Sequence, residues 1–142
     1  MRIADVLRLK GSAVATIAPE TTVIELLAGL AERNIGAMVV VDHSGVRGIV
    51  SERDVVRELH ALGAELLSRP VADIMTTVVA TCEPGDSVNM LSALMTNKRV
   101  RHVPVLDGGR LAGIVSIGDV VKTRMEELEA EQEQLHTYIT RG

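Results

Sequence analysis

Residues 14–56 recur at 79–121 with a constant offset of 65 and no gap, so this chain is one small unit written twice. The copies share Val14/Val79, Ala15/Ala80, Thr16/Thr81, Pro19/Pro84 and Leu26/Leu91, among others. They then share a dense run from Gly48/Gly113 through Ser51/Ser116 and Asp54/Asp119 to Val56/Val121. Sixteen of the 43 paired positions are identical, where residue frequencies alone would give roughly 3. Short lead-in segments, Ile3–Leu7 and Val71–Met75, match as well, at an offset of 68. Duplication predicts two equivalent halves, a pseudo-twofold axis between them and two related clefts.

Each copy alone is too small to bury a sizeable core. The 142 residues have room for about one domain, or for two halves sharing one core. A hydrophobic content of 46% excludes a disordered chain. No apolar run reaches the length of a membrane span, and the N-terminus has no signal-like stretch. A single cysteine, Cys82, fits a reducing compartment, and a cytoplasmic location is expected. The net charge of −4 argues against a nucleic-acid partner. With no Phe or Trp and only Tyr138, there is no platform for stacked single-stranded bases either.

Along one copy, Ala15–Pro19 reads as a short strand closed by proline. Thr21 and Thr22 can cap a helix whose apolar positions Val23, Leu26, Leu27 and Leu30 follow helical spacing to Asn34. Ala37–Asp42 is a β-branched run, the mark of a buried strand, and Val46–Val50 returns after a tight turn. Ser51 then opens a second helix. The fold class expected is α/β, two pseudo-symmetric β-α-β-β-α units packed as a tandem pair. Their buried strand residues are expected to be Val39, Val40, Val41, Ile49, Val50, Val103, Val105, Ile114 and Val115. Pro70 starts a short helix in the connector, which is brief enough to fix the halves relative to one another.

The chemistry is concentrated in Gly48-Ile-Val-Ser-Glu-Arg-Asp54 and Gly113-Ile-Val-Ser-Ile-Gly-Asp119. A strand delivers a serine to a helix N-terminus, whose free N–H groups favour anions. The aspartate one turn later has two acceptor oxygens that could hold the vicinal hydroxyls of a ribose. The glycines would allow close backbone approach. Ser-x-x-Asp is also the pattern of a capping box, in which the acid satisfies a backbone N–H, and duplicating a cap yields two caps. The motif by itself leaves both readings open.

Read whole, both copies resemble the cystathionine-β-synthase (CBS) domain, a regulatory module found in tandem. The matching series is Thr16-Ile-Ala-Pro19 and Thr81-Cys-Glu-Pro84, the capped helices, Val40-Val-Asp42 and Val103-Pro-Val-Leu-Asp107, and the Gly-x-x-Ser-x-x-Asp segments. The likeness covers about residues 3 to 130 and suggests units over 7–68 and 75–131 with a helical extension over 132–142. It implies a stand-alone, non-catalytic sensor binding an adenosine-containing molecule between the units: AMP, ADP, ATP, NAD or S-adenosylmethionine, with none covalently bound. By resemblance, Asp54 and Asp119 would take ribose, with Ser51 and Ser116 beside the phosphate. Thr16, Ile17, Thr81 and Cys82 would border the base.

The two clefts are not chemically equivalent. Arg101 and His102 precede Pro104, where the first copy has Gly36, Ala37 and Val39; where the first motif has Arg53, the second has Gly118. One good site is expected, with Arg53, Arg101 or His102 near the phosphate. His43, His60 and His136 read as solvated, and no His/Cys/Asp cluster has metal spacing. Cys82 reads as a small buried residue, and no nucleophile–base pair is visible.

From Val121 the chain leaves the duplicated plan. Val121, Met125, Leu128, Leu135 and Ile139 form a stripe at 4-3 spacing, interrupted by Gln132, on a long Glu-rich helix, expected to serve either its own chain or a homodimer contact. Three function classes follow: a ligand-sensing regulator of a partner protein, an interaction adaptor with vestigial clefts, and a small nucleotide-acting enzyme. The sensor leads.

Overall fold

The computed structural model describes residues 1–78 and 80–141; Val79, where the second copy begins, and Gly142 lie outside them. After helix α1 (Ile3–Lys10), the first unit runs β1 (Thr16–Ile17), α2 (Val23–Arg33), β2 (Ala37–Asp42), β3 (Gly45–Ser51) and α3 (Glu52–Leu62). Helix α2 begins where Thr22 Oγ1 accepts from the Glu25 N–H at 3.4 Å and ends on Asn34 in the left-handed conformation. Strand β1 runs parallel to β2, and β2 pairs antiparallel with β3. Two 3-10 turns, Gly63–Ser68 and Val71–Asp73, fill the connector, the second capped by Pro70.

The second unit comprises α4 (Val88–Lys98), β5 (His102–Asp107), β6 (Arg110–Ser116) and α5 (Ile117–Arg141). Its repeat relation to the first reaches into irregular features. The strand bulge at Val40/Val41 returns at Val105/Leu106, and the left-handed Asn34 returns as Arg99. The bond from Glu52 N–H to Gly36 carbonyl returns as Ile117 N–H to Arg101 carbonyl.

One expected element is reduced. The counterpart of β1 survives only as a bridge between Cys82 and Val105, in the register of Ile17 with Val40. The cause is Pro104. In the first unit the Val39 N–H donates to the Ala15 carbonyl at 3.0 Å, and proline at the matching position has no N–H to offer.

The lead-in segments exchange places. Helix α1 precedes the first unit yet buries Ile3, Val6 and Leu7 in a core with Cys82, Val88, Leu91, Val103, Val105 and Val115 of the second. Reciprocally, Val71 and Ile74 join the first unit's core with Val23, Leu26, Val40 and Val50. The backbone repeats the exchange bond for bond. Ile3, Ala4 and Val88 donate to Asp86, Pro84 and Met1, just as Val71, Ala72 and Val23 donate to Thr21, Pro19 and Arg69. Strand β4 (Thr76–Thr77), which follows the second lead-in, adds itself antiparallel to β3 and completes a four-stranded sheet.

This exchange corrects the role expected of the two motif glycines. A Cβ on Gly48 would lie 2.7 Å from the Thr76 carbonyl oxygen and 2.9 Å from Met75 Sδ, and one on Gly113 would lie 2.7 Å from Leu7 Cδ2. The room they leave is filled by the lead-ins, not by a ligand. Of the strand residues expected in the core, Val39, Val40, Val50, Val103, Val105 and Val115 are fully buried. Val41, Ile49 and Ile114 are only half-buried.

Helix α5 is continuous from Ile117 to Arg141, 25 residues or roughly 37 Å long. Val120 and Thr123 anchor its first turns, whereas Val121, Met125, Leu128, Leu135 and Ile139 are each at least half exposed. The apolar stripe is therefore not covered by its own chain. Among the described residues, no helix is long and apolar enough to cross a membrane.

Candidate functional site

Strand β3 carries Ser51 to the N-terminus of α3, and the capping box forms as the spacing allows. Asp54 Oδ2 accepts from the Ser51 N–H at 2.8 Å and from the Ser51 hydroxyl at 3.1 Å, while Oδ1 accepts from the Thr76 hydroxyl at 3.3 Å. Asp54 is 5% exposed, yet its surroundings open onto a cleft of about 460 Å³ between the two units. That volume lies within the range of small-molecule sites.

The lining draws on both copies. From the first come Gly36, Ile49, Ser51, Glu52, Arg53, Asp54 and Arg57; from the second come Arg99, Val100, Arg101, His102 and Ile117. Thr76, Thr77 and Val78, which follow the second lead-in, close one side together with Ala80. Four arginines thus face two carboxylates in a chain of negative net charge. Among the described residues, Arg53, Arg57, Arg99 and Arg101 make no ion pair. Guanidiniums without an ion-pair partner at a concave surface suit an anion, because each keeps its planar fork of donors available.

Ser51, Arg53, Asp54, Arg101 and His102 are thereby brought together, as their motifs anticipate. Arg57 and Arg99 were missed. Arg57 lies four residues after Arg53 on α3, a spacing that puts both on one helix face. Arg99 occupies the left-handed position that ends α4, and nothing in its neighbours' identities signals a cleft. Thr76, Thr77, Val78 and Ala80 were missed because the wall they form depends on the exchange of lead-ins.

The other candidates lie outside this lining. Thr16, Ile17 and Thr81 sit on the first-strand segments. Cys82 is 2% exposed, with its thiol toward the Pro104 carbonyl, and burial followed by the Asp86 charge pushes it up to about 11. The thiol therefore stays protonated and unreactive at neutral pH. Ser116 and Asp119 repeat the cap, the Ser116 N–H donating to Asp119 Oδ2 at 2.8 Å, but that same oxygen also accepts from Lys10 Nζ at 2.6 Å. Burial pushes the Asp119 carboxyl upward; the Lys10 and Ser116 hydrogen bonds outweigh it and leave the group below the ordinary carboxylate value.

Burial holds the His102 imidazole below the ordinary histidine value, aided by Lys10 and Arg101 and opposed by Asp119 and Asp54. Between the lowered folded value and the unfolded value of 6.5, the unfolded chain binds the extra proton, so this residue's contribution to stability is complete above that range. It is lost as pH falls through it. Denaturant midpoints measured from pH 7 to pH 5 should therefore fall less steeply in His102→Gln than in the parent chain. Identical slopes would show that His102 titrates normally.

The sequence matches the family described as CBS domain twice, over residues 4–61 and 71–126. A curated relative, the CBS domain-containing protein CBSX3, mitochondrial, of Arabidopsis thaliana, is 34% identical over 99% of this chain and 72% of the relative. Among solved structures, the CBS-domain containing protein ATU1752 from Agrobacterium tumefaciens is 43% identical with a TM-score of 0.82, covering 87% of this chain and 99% of that one. CBSX2 in complex with AMP is 25% identical with a TM-score of 0.69, covering 88% and 96%.

Proposed function

The chain belongs to the CBS-domain family as a tandem pair of such units, and on that premise we propose that it is a non-catalytic sensor of an adenosine-containing nucleotide. The ligand lies in the cleft at Asp54, with its ribose on that carboxylate and its phosphates among Arg53, Arg57, Arg99, Arg101 and His102. The observation that carries this reading is the set of four unpaired arginines around one buried carboxylate at a helix N-terminus. The AMP complex of CBSX2 supports the ligand class. A cationic lining favours AMP, ADP, ATP or NAD over S-adenosylmethionine, whose sulfonium adds positive charge. Catalysis is not part of this reading, since the Ser51 hydroxyl donates to Asp54 and so is not poised on His102 as a nucleophile. The reduced, buried Cys82 suits a reducing compartment such as the cytoplasm.

A melting panel of these ligands tests the proposal. A nucleotide present at 100 times its Kd should stabilise the native state by about 2.7 kcal/mol, a shift on the order of 10 °C for a chain of this size. No shift with any of them would favour an adaptor, and steady release of product from ATP or NAD would favour an enzyme.

The same reading includes a homodimer that passes ligand occupancy to a partner protein. The uncovered stripe on α5 supports it, because each buried leucine or isoleucine contributes about 1.5–3 kcal/mol and closed twofold pairing is the common solution for one apolar patch. Light scattering should give a dimer for the parent chain and a shift toward monomer for Leu128→Glu combined with Leu135→Glu. An unchanged dimer would move the interface onto the paired units.

A further inference from the structure

Asp54 and Asp119 are repeat equivalents, each one turn into a helix and each capped to its own serine, yet their remaining neighbours differ in charge. Among the described residues, Asp54 accepts only from neutral donors, the Ser51 N–H and hydroxyl and the Thr76 hydroxyl. Asp119 carries an ammonium: Lys10 Nζ stands 2.6 Å from its Oδ2 and 2.9 Å from the Ile114 carbonyl oxygen, with both side chains of the ion pair less than one third exposed. The charge at Asp119 comes from the last residue of the helix that precedes the first unit. At Asp54 the residues that follow the second lead-in, Thr76, Thr77 and Val78, line the open cleft and offer no charge. Lys10 is also well anchored. It is the last residue of α1, where a cation suits the helix dipole, and that helix is pinned into the second unit by Ile3, Val6 and Leu7.

We infer that Lys10 is a latch that withholds the second carboxylate from ribose, so that the chain presents one open nucleotide site and one latent site of the same ligand class. This rests on the proposed function of the Asp54 cleft. A ribose reaching Asp54 exchanges with one neutral hydroxyl. At Asp119 it must break a charge-assisted bond, roughly twice as strong as a neutral one. The latch opens by rotation of the lysine side chain, without loss of the packed helix.

Calorimetric titration of the full chain with AMP tests it, using the parent, Lys10→Met, and Lys10→Met combined with Asp119→Asn. Methionine keeps the aliphatic stem without the charge, and Lys10→Gln serves as a second variant if Lys10→Met aggregates. The parent should bind one equivalent per chain, Lys10→Met two, and the double variant one again. One equivalent in both lysine variants would overturn the latch while leaving the Asp54 site standing, as would two equal sites in the parent. No binding by any of the proteins would overturn the Asp54 reading, and the latch with it.

Discussion

Replacing Asp54 by asparagine should lower the affinity for AMP by about 10- to 150-fold while leaving the fold intact. The carboxylate has two roles that this substitution separates. As a cap it accepts the Ser51 N–H at 2.8 Å, and an asparagine carbonyl can accept the same bond in the same shape. As the proposed ribose ligand it would supply charge to two hydroxyls, and hydrogen bonds to a charged group contribute about 1.5–3 kcal/mol, which is the stated range in Kd. Alanine would confuse the two, since loss of a cap alone costs about 1 kcal/mol. Calorimetry should give the affinity loss, and thermal melting of the free variant should stay within a few degrees of the parent. Unchanged affinity would reduce Asp54 to a helix cap.

Ile3→Ala should cost about 2–5 kcal/mol of stability, as deletion of a fully buried isoleucine does elsewhere. A position so near the start of a chain ordinarily tolerates change. Here Ile3 is 0% exposed, sits in the core of the second unit and donates its N–H to the Asp86 carbonyl at 2.9 Å. Ile24→Ala, at a residue 54% exposed on α2, is the matched control and should change stability by less than about 0.5 kcal/mol. Urea unfolding followed by circular dichroism measures both. A small loss at Ile3 would mean that α1 merely rests on the second unit.

Local chemistry made most of the fold legible from the residues. Thr22 before an apolar-periodic run, the β-branched stretch at 37–42 and the Ser51 cap each act within a few residues. The helices and strands that they specify lie where those signals put them. The offset of 65 carried the second unit along, except where Pro104 removed one donor and with it most of a strand. What could not be read was long-range. The matching lead-ins at an offset of 68 revealed their equivalence but not that each docks on the other's unit. That exchange decides which residues wall the cleft. It brings Thr76, Val78 and Ala80 to Asp54 and Lys10 to Asp119. It also fills the space beside Gly48 and Gly113 that had looked free for a ligand. Arg57 was within reach of sequence reasoning, one helical turn from Arg53. Arg99 was not, because its place follows from how α4 ends against the first unit.

A crystal structure of the full chain grown with AMP decides whether Asp54 holds the ligand. The ribose hydroxyls should lie within about 3 Å of the Asp54 carboxylate, with the Thr76 hydroxyl turned aside and the phosphate held among Arg53, Arg57, Arg99 and Arg101. Nucleotide density anchored elsewhere, with the Asp54 cleft empty and its arginines unengaged, would contradict this placement.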